Sequence, residues 1–168
     1  MLKDVSLRLI QQGNHVTVIG RQQKKMQNLI NEVKNDLKLS PKLVDYTNYN
    51  RFKLALTEPQ QNNGTFDCMI AWIHGSDKRV RESLLEAIPT TENMILYHIK
   101  GSSSFIKNDG YLPSNIVYRE VKLGFAIEKN NSSRWLTNSE IAKGIIDAIK
   151  QEIPEKHAGV FEPWKLRP

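Results

Sequence analysis

Apolar residues recur along the chain in two alternating patterns, one with helical spacing and one with the continuous or alternating pattern of strands. The helical stripes predict helices within residues 2–12, 26–37, 50–57, 80–88 and 137–149. The apolar runs between them predict strands at 15–19, 42–46, 66–73, 94–99 and 116–127, and a short last strand in 157–168. Alternating helices and strands are typical of an α/β, doubly wound domain with a mostly parallel sheet.

Local signals mark several element ends. Gly13 follows the first stripe, as expected of a residue just past a helix C-terminus. Pro, Asn and Gln predict a loop at 58–64, and Thr137-Asn138-Ser139-Glu140 is a capping box that opens the last helix. The almost unbroken apolar run 66–73 predicts a strand that is buried on both faces.

Composition limits the class of protein. The 168 residues are 39% hydrophobic and 25% charged, which predicts one domain over residues 1–168. No apolar run approaches the length of a membrane-spanning helix, and the N-terminus lacks the apolar core of a signal peptide. The single cysteine, Cys68, predicts a reducing, cytoplasmic setting. His and acidic residues show no metal-ligand spacing.

Basic residues are concentrated early in the chain. The net charge is +6, and the segment 21–53 holds eight basic and three acidic residues. A solvated helix face, a phosphate-bearing small ligand and nucleic acid are all compatible with that segment. Few aromatic residues and no nucleic-acid-binding motif accompany it, which disfavours nucleic acid as the partner.

Glycine-rich phosphate-binding motifs are absent from the sequence. Neither G-x-G-x-x-G nor a Walker A pattern occurs, and Met1 lies directly before the first predicted helix. In doubly wound sheets such a loop follows the first strand.

Three segments, in this order, resemble the short-chain dehydrogenases/reductases. Leu9–Arg21 is similar to that family's first helix and second strand, and Leu123-Gly124-Phe125-Ala126 to its P-G-F-V turn, with Leu in place of Pro. Arg134–Ala142 is similar to its R-x-G-x-P-E-E-I-A segment. The resemblance implies a Rossmann-like fold, a nicotinamide dinucleotide, a small-molecule substrate and homo-oligomerisation. It also implies a first strand and glycine loop upstream of Met1, so we expect an N-terminally truncated domain with two unpaired strand edges.

The resemblance assigns cofactor-binding roles to residues at the strand ends. Arg21 closes the second strand of that fold, where Arg accommodates the 2′-phosphate of NADP and an acidic residue holds the ribose of NAD. Lys24 and Lys25 add positive potential, and Asp45 corresponds to an acidic residue beside the adenine. The other implied contacts are Ala71, Trp72, Ile73 and Gly124. The alternatives are surface charge for Arg21, a loop-capping role for Asp45 and a core position for Trp72.

Catalytic residues are harder to place. Tyr118 and Lys122 match the family's Y-x-x-x-K spacing, which pairs the two side chains on a helix. Here they lie in a predicted strand, about 13 Å apart, so we interpret the match as a coincidence. Only 101–114 separates the two flanking strands, and it has no helical stripe, so we expect the family's catalytic helix to be missing. Ser102 remains a weak catalytic candidate, and His74 is interpreted as a loop residue.

Two functions are compatible with these observations. One is an NADP(H)-dependent oxidoreductase that transfers hydride between the cofactor and a carbonyl or alcohol. The other is a catalytically inactive dinucleotide sensor or regulatory protein, which the missing Tyr–Lys helix favours.

Overall fold

Five α-helices and eight strands are found in the residues that the computed structural model describes, which are 1–33, 36–73, 78–86, 93–101, 113–129 and 131–168. The helices are α1 (Lys3–Gln11), α2 (Gln23–Glu32), α3 (Tyr49–Asn63), α4 (Lys78–Glu86) and α5 (Asn138–Gln151). The strands are β1 (Val16–Gly20), β2 (Leu39–Leu43), β3 (Cys68–Ala71), β4 (Met94–Gly101), β5 (Ile116–Leu123), β6 (Phe125–Ile127), β7 (Ser133–Trp135) and β8 (Glu155–Ala158). This order confirms the predicted α/β fold class.

The chain divides into two compact units. The first unit comprises Ser6–Asp67 and His74–Met94, and the second comprises Met1–Val5, Cys68–Ile73 and Ile95–Pro168. In the first unit β1 and β2 pair in parallel, from Val16 opposite Leu39 to Gly20 opposite Leu43. Its core is formed by apolar side chains of α1, α2 and the two strands, among them Ile10, Met26, Leu29, Leu39, Val16 and Val18.

The second unit is built on a sheet with the strand order β3-β4-β5-β8. The pairs β3–β4 and β5–β8 are parallel, while β6 and β7 form a separate antiparallel pair. Helix α5 packs against β5 and β8 with the buried side chains Ile141 and Ile145. Its N-terminus is held by the predicted capping box, because Thr137 accepts from the Glu140 amide and Glu140 accepts from the Thr137 amide.

Two predictions about the first unit were wrong in their boundaries. The strand predicted at 42–46 is β2, which begins earlier because Leu39 is needed in the core. Pro41 is tolerated in it because, among the described strands, β2 pairs only with β1. The predicted helix 50–57 continues to Asn63 as α3, so the predicted loop 58–64 is largely helical. Pro59 removes the backbone donor that would reach the Ala55 carbonyl, but its ring is buried. In the next position, the Gln60 side chain donates to the Leu56 carbonyl.

Two strand predictions in the second unit were also wrong. The strand predicted at 66–73 is the four-residue β3, and it is half-buried with Cys68 exposed, because among the described strands it pairs with β4 alone. The strand predicted at 116–127 breaks at Gly124 into β5 and β6. There the Gly124 amide donates to the Ala158 carbonyl, and Phe125 then bonds to Val160. The last strand lies at Glu155–Ala158, slightly before the predicted position.

We expect Gly124→Ala to lower the free energy of unfolding by about 1–3 kcal/mol, the usual range for overpacking. A Cβ at Gly124 would lie 2.1 Å from the Val160 carbonyl oxygen, which is backbone and cannot rotate away. Urea unfolding would measure the change. Gly20→Ala is the matched control, because a Cβ at Gly20 meets only the Met26 Cε, at 3.8 Å. Equal urea midpoints for the two variants would contradict this account of the β5–β6 junction.

A second prediction concerns the Glu140 carboxylate. Bidentate hydrogen bonds from Arg134 (2.8 and 3.0 Å), followed by those from Thr137, lower the pKa of Glu140 from 4.5 to about 2. Because the folded pKa is depressed, the stabilisation is complete above pH 4.5 and is lost as the pH falls towards 2. Urea titrations should therefore show wild type more stable than Glu140→Gln at pH 7, with a smaller difference at pH 3. Arg134→Lys, which lacks the planar fork, should behave similarly; a difference independent of pH would disprove the linkage.

Candidate functional site

Arg21 and Asp45 meet at one edge of the β1–β2 sheet. Because the two strands are parallel, their carboxyl ends lie at the same edge, and each residue follows its strand there. The Arg21 Nη1 lies 3.1 Å from the Asp45 Oδ2, and the Arg21 side chain is 64% exposed. The structure therefore brings together two residues that the sequence analysis singled out separately, with most of the guanidinium open to solvent.

The Asp45 carboxylate also shapes the turn that leads into α3. Its Oδ1 accepts from the Thr47 amide (3.0 Å) and the Thr47 hydroxyl (2.8 Å). These bonds, followed by the one from Arg21, hold the pKa of Asp45 below its usual value. Asn48 then caps α3 by accepting from the Arg51 amide. Asp45 therefore caps this loop, as one of the two interpretations predicted, and the same carboxylate also accepts a hydrogen bond from Arg21.

A shallow depression lies beside this turn. Thr47, Asn48, Tyr49 and Asn50 line it, and its volume is about 400 Å³. Its wall offers amide and hydroxyl groups together with one aromatic ring, directly after Asp45 in the chain. These are groups that can hydrogen-bond and stack on a planar heterocycle.

The N-terminus of α2 lies directly after Arg21 in the chain. Its N-cap residue, Gln22, makes no side-chain capping bond, so the first-turn amides are not satisfied by a cap. Lys24 and Lys25 in the first turn are exposed, and no acidic partner is found for either within the described ranges. An uncapped helix N-terminus with two lysines beside an arginine fork has the chemistry of a phosphate site. The residues present fit a phosphate group.

Three basic residues of the segment 21–53 have acidic partners. Lys42 lies 2.8 Å from Glu58, Lys53 lies 3.1 Å from Glu86, and Arg21 is paired with Asp45. Within the described ranges, the basic residues of this segment without an ion pair are Lys24, Lys25, Lys38 and Arg51, and the first two lie at the start of α2.

In the second unit, Ala71 closes β3, and Trp72 and Ile73 follow it, all three half-buried. Ala71 pairs with His98 on β4, so these two residues face the same side of the sheet. Gly124 lies at the β5–β6 junction, where it allows the backbone of residues 158–160 to approach closely. Its observed role is in packing. Ser102 and His74 lie outside the described residues.

A polar network that the sequence analysis missed crosses β4 and β5. His98 Nδ1 lies 2.8 Å from the Tyr118 hydroxyl, which donates to the Glu120 Oε1 at 2.9 Å. Lys100 forms an ion pair with the same carboxylate oxygen, and both side chains are largely buried, at 7% and 15% exposure. Burial alone would raise the pKa of Glu120, but the bonds from Lys100 and Tyr118 outweigh it and leave the pKa below its usual value.

The sequence did contain a signal for this network. Polar residues occupy alternate positions, at 98 and 100 on β4 and at 118, 120 and 122 on β5, although Arg119 interrupts the apolar positions of β5. A period of two places such residues on one face of the sheet. Tyr118 and Lys122 are confirmed to lie on a strand, with Glu120 between them, and Lys122 is instead 2.7 Å from Glu155.

The described residues contain no group of three or more His, Cys, Asp or Glu side chains placed to hold a metal ion. No helix among them is long and apolar enough to span a bilayer.

Comparison with known proteins identifies the fold. No family model and no curated protein sequence matches the chain. Solved structures do: serine dehydrogenase from Escherichia coli has a TM-score of 0.63 and 13% identity over 94% of this chain and 91% of that chain. A β-ketoacyl-[ACP] reductase from Bacteroides thetaiotaomicron has a TM-score of 0.67 and 11% identity, over 92% and 90%.

A third similar structure carries a nucleotide. The alcohol dehydrogenase from the archaeon Thermococcus sibiricus, complexed with 5-hydroxy-NADP, has a TM-score of 0.59 and 11% identity, over 94% of this chain and 90% of that one. Several other similar structures are described as short-chain dehydrogenases. The chain therefore has the Rossmann-like fold of the short-chain dehydrogenases/reductases.

Proposed function

We propose that the protein binds NADP(H) and acts as an oxidoreductase that transfers hydride between this cofactor and a carbonyl or alcohol substrate. The observation that carries the proposal is the Arg21 guanidinium, held by Asp45 at 3.1 Å next to the uncapped N-terminus of α2. An arginine at the end of this strand suits a 2′-phosphate, whereas NAD-specific sites use a carboxylate there. The setting we propose is cytoplasmic.

The phosphate contacts follow from charge and geometry. Arg21 would offer a planar fork to the 2′-phosphate, and Lys24 and Lys25 would add two further positive charges. Asp45 and the depression at Thr47–Asn50 would receive the adenine. In the second unit, Ala71, Trp72, Ile73 and Gly124 are the proposed contacts to the rest of the cofactor. When bound, NADP(H) would supply or accept the hydride.

We expect Arg21→Glu to weaken NADPH binding at least tenfold and to abolish any preference for NADPH over NADH. The substitution removes the fork and places a carboxylate where it repels the 2′-phosphate. Calorimetric titrations with both nucleotides would measure the two affinities. Arg8→Glu, which makes the same charge change on the exposed face of α1, is the control. Equal NADPH affinities for wild type and Arg21→Glu would show the assignment of Arg21 to be wrong.

A second titration addresses the pyrophosphate. The family's glycine loop is not found in this sequence, so we propose to titrate NADPH into both this chain and a version extended upstream by its genomic reading frame. Tighter NADPH binding by the extended chain would support the loop, and no binding by either chain would contradict the proposed function.

The alternative function is a dinucleotide sensor or regulatory protein without catalysis. It is favoured by the position of Tyr118 and Lys122, which lie on a strand and bond to acidic residues instead of forming a pair on a helix. The proton donor of the reductase would then have to lie elsewhere, and Ser102 is the weak candidate from the sequence.

NADPH consumption distinguishes the two functions. Absorbance at the nicotinamide band would be followed with a panel of aliphatic and aromatic aldehydes, ketones and 3-oxoacyl thioesters. Consumption that depends on both substrate and protein is the result expected of the reductase. Saturable NADPH binding without consumption across the panel would identify the sensor.

A further inference from the structure

The polar network on β4 and β5 contains buried charge. Lys100 is 6% exposed, and its ammonium group is paired with Glu120 in the interior of the second unit. Burying two charges and a tyrosine hydroxyl costs free energy unless each is hydrogen-bonded. Buried, mutually bonded titratable groups cluster at functional sites, which makes this network a candidate site.

Hydrogen-bond directions in the network fix the tautomer of His98. The Glu120 carboxylate is ionised, since it pairs with Lys100 and its pKa is lowered. It can only accept, so the single Tyr118 hydroxyl proton points to Glu120. The Tyr118 oxygen must then accept from His98, which places a proton on Nδ1. Nε2 is therefore the nitrogen of the neutral His98 ring that is available to accept a proton.

The position of His98 in the sheet is relevant to chemistry. His98 pairs with Ala71, the last residue of β3, and faces the same side of the sheet as that residue. In open parallel sheets, ligands bind beyond the carboxyl ends of the strands. The network thus connects a buried ion pair to a histidine beside the strand end where the proposed cofactor contacts Ala71, Trp72 and Ile73 begin.

We propose that His98 is the acid–base residue of the proposed oxidoreductase, with Tyr118, Glu120 and Lys100 as positioning residues that orient its ring and fix its tautomer. This inference rests on the proposed function. It assigns the proton-transfer role that neither the Tyr118–Lys122 spacing nor Ser102 supplies.

The proton balance of the reaction is as follows. When bound, NADPH would supply the hydride to the carbonyl carbon, and the electron pair of the C=O double bond would move to the oxygen. That oxygen takes the proton from Nε2 of the His98 imidazolium, so an N–H bond breaks and an O–H bond forms. His98 is left neutral, with its remaining proton on Nδ1 and bonded to Tyr118. In alcohol oxidation the neutral Nε2 accepts the hydroxyl proton.

Several charged groups share this face of the sheet with His98. On β4 it shares the face with Lys100, and on β5 with Glu120 and Lys122. Glu155 and His157 on β8 extend the same face, joined to it through the Lys122–Glu155 pair. Because Tyr118 connects His98 to the Glu120 carboxylate, we expect the negative charge on Glu120 to stabilise the imidazolium.

Nitrogen NMR of the histidine rings tests the positioning without any substrate. We expect His98 to titrate from imidazolium to the Nδ1–H tautomer, and Glu120→Gln to lower its pKa. Tyr118→Phe keeps the ring but removes the hydroxyl, and should release the tautomer to a mixture. If Glu120→Gln does not fold, Tyr118→Phe still tests the positioning, because it leaves the buried ion pair in place. A neutral His98 with its proton on Nε2 in wild type would overturn the inference.

Turnover and binding test the catalytic role separately. On any carbonyl of the panel that wild type reduces, His98→Gln should lower kcat at least 100-fold, within the usual range for general acid catalysis, and leave NADPH affinity unchanged. His157→Gln, an exposed histidine on the same sheet face, is the matched control and should leave kcat unchanged.

Failure of the two proposals can be told apart. If wild type binds NADPH but reduces nothing in the panel, or if His98→Gln turns over like wild type, the assignment of His98 is wrong and cofactor binding stands. If neither wild type nor the upstream-extended chain binds NADPH, the proposed function itself fails, and His98 has no reaction to serve.

Discussion

The buried ion pair between Lys100 and Glu120 constrains how β4 and β5 align in the second unit. Each residue lies in the interior of a strand, so the pair forms only when β4 and β5 are in one register. Loss of one partner leaves an uncompensated buried charge, which typically costs about 3–5 kcal/mol. A register shift by one residue would also move Lys100 to the opposite face of the sheet. The Tyr118 hydroxyl and the His98 ring take their positions from this pair.

The first unit depends on a weaker polar contact. Arg21 and Asp45 are both substantially exposed, and such pairs contribute about 0–1 kcal/mol to stability. The contact serves to position the Arg21 guanidinium. Thr47 holds Asp45 in the turn, and Asp45 holds the guanidinium at the edge where β1 ends. Stability in this unit comes from the apolar side chains that α1 and α2 bury against β1 and β2. In the first unit, different residues stabilise the fold and form the candidate site. In the second unit, the Lys100–Glu120 pair contributes to both.

Periodicity predicted the existence and type of most elements, and its errors have physical causes. Helix α3 was predicted too short because Pro59 and its polar neighbours are typical of a loop. In the structure the proline ring is buried and the Gln60 side chain donates to the Leu56 carbonyl, and the helix continues. The break at Gly124 was missed because it depends on the backbone at Ala158 and Val160, far along the chain. Arg21 and Asp45 could be predicted, since strand ends can be read from sequence. His98 could not, because its importance arises from pairing with two other strands.

Identities of 11–13% to solved structures with TM-scores of 0.6 or more show how little sequence this fold requires. What must persist is the pattern of buried positions and the few backbone sites where a Cβ does not fit, such as Gly124 and Gly144. Polar residues outside these positions and outside the buried ion pair can vary, so chemistry can change while the fold stays. A tyrosine and a lysine four residues apart on a strand therefore carry none of the meaning that they have on a helix. The function of a protein with this fold therefore depends on the contacts that its polar side chains make. In the second unit of this chain, Lys100 and Tyr118 both bond to Glu120.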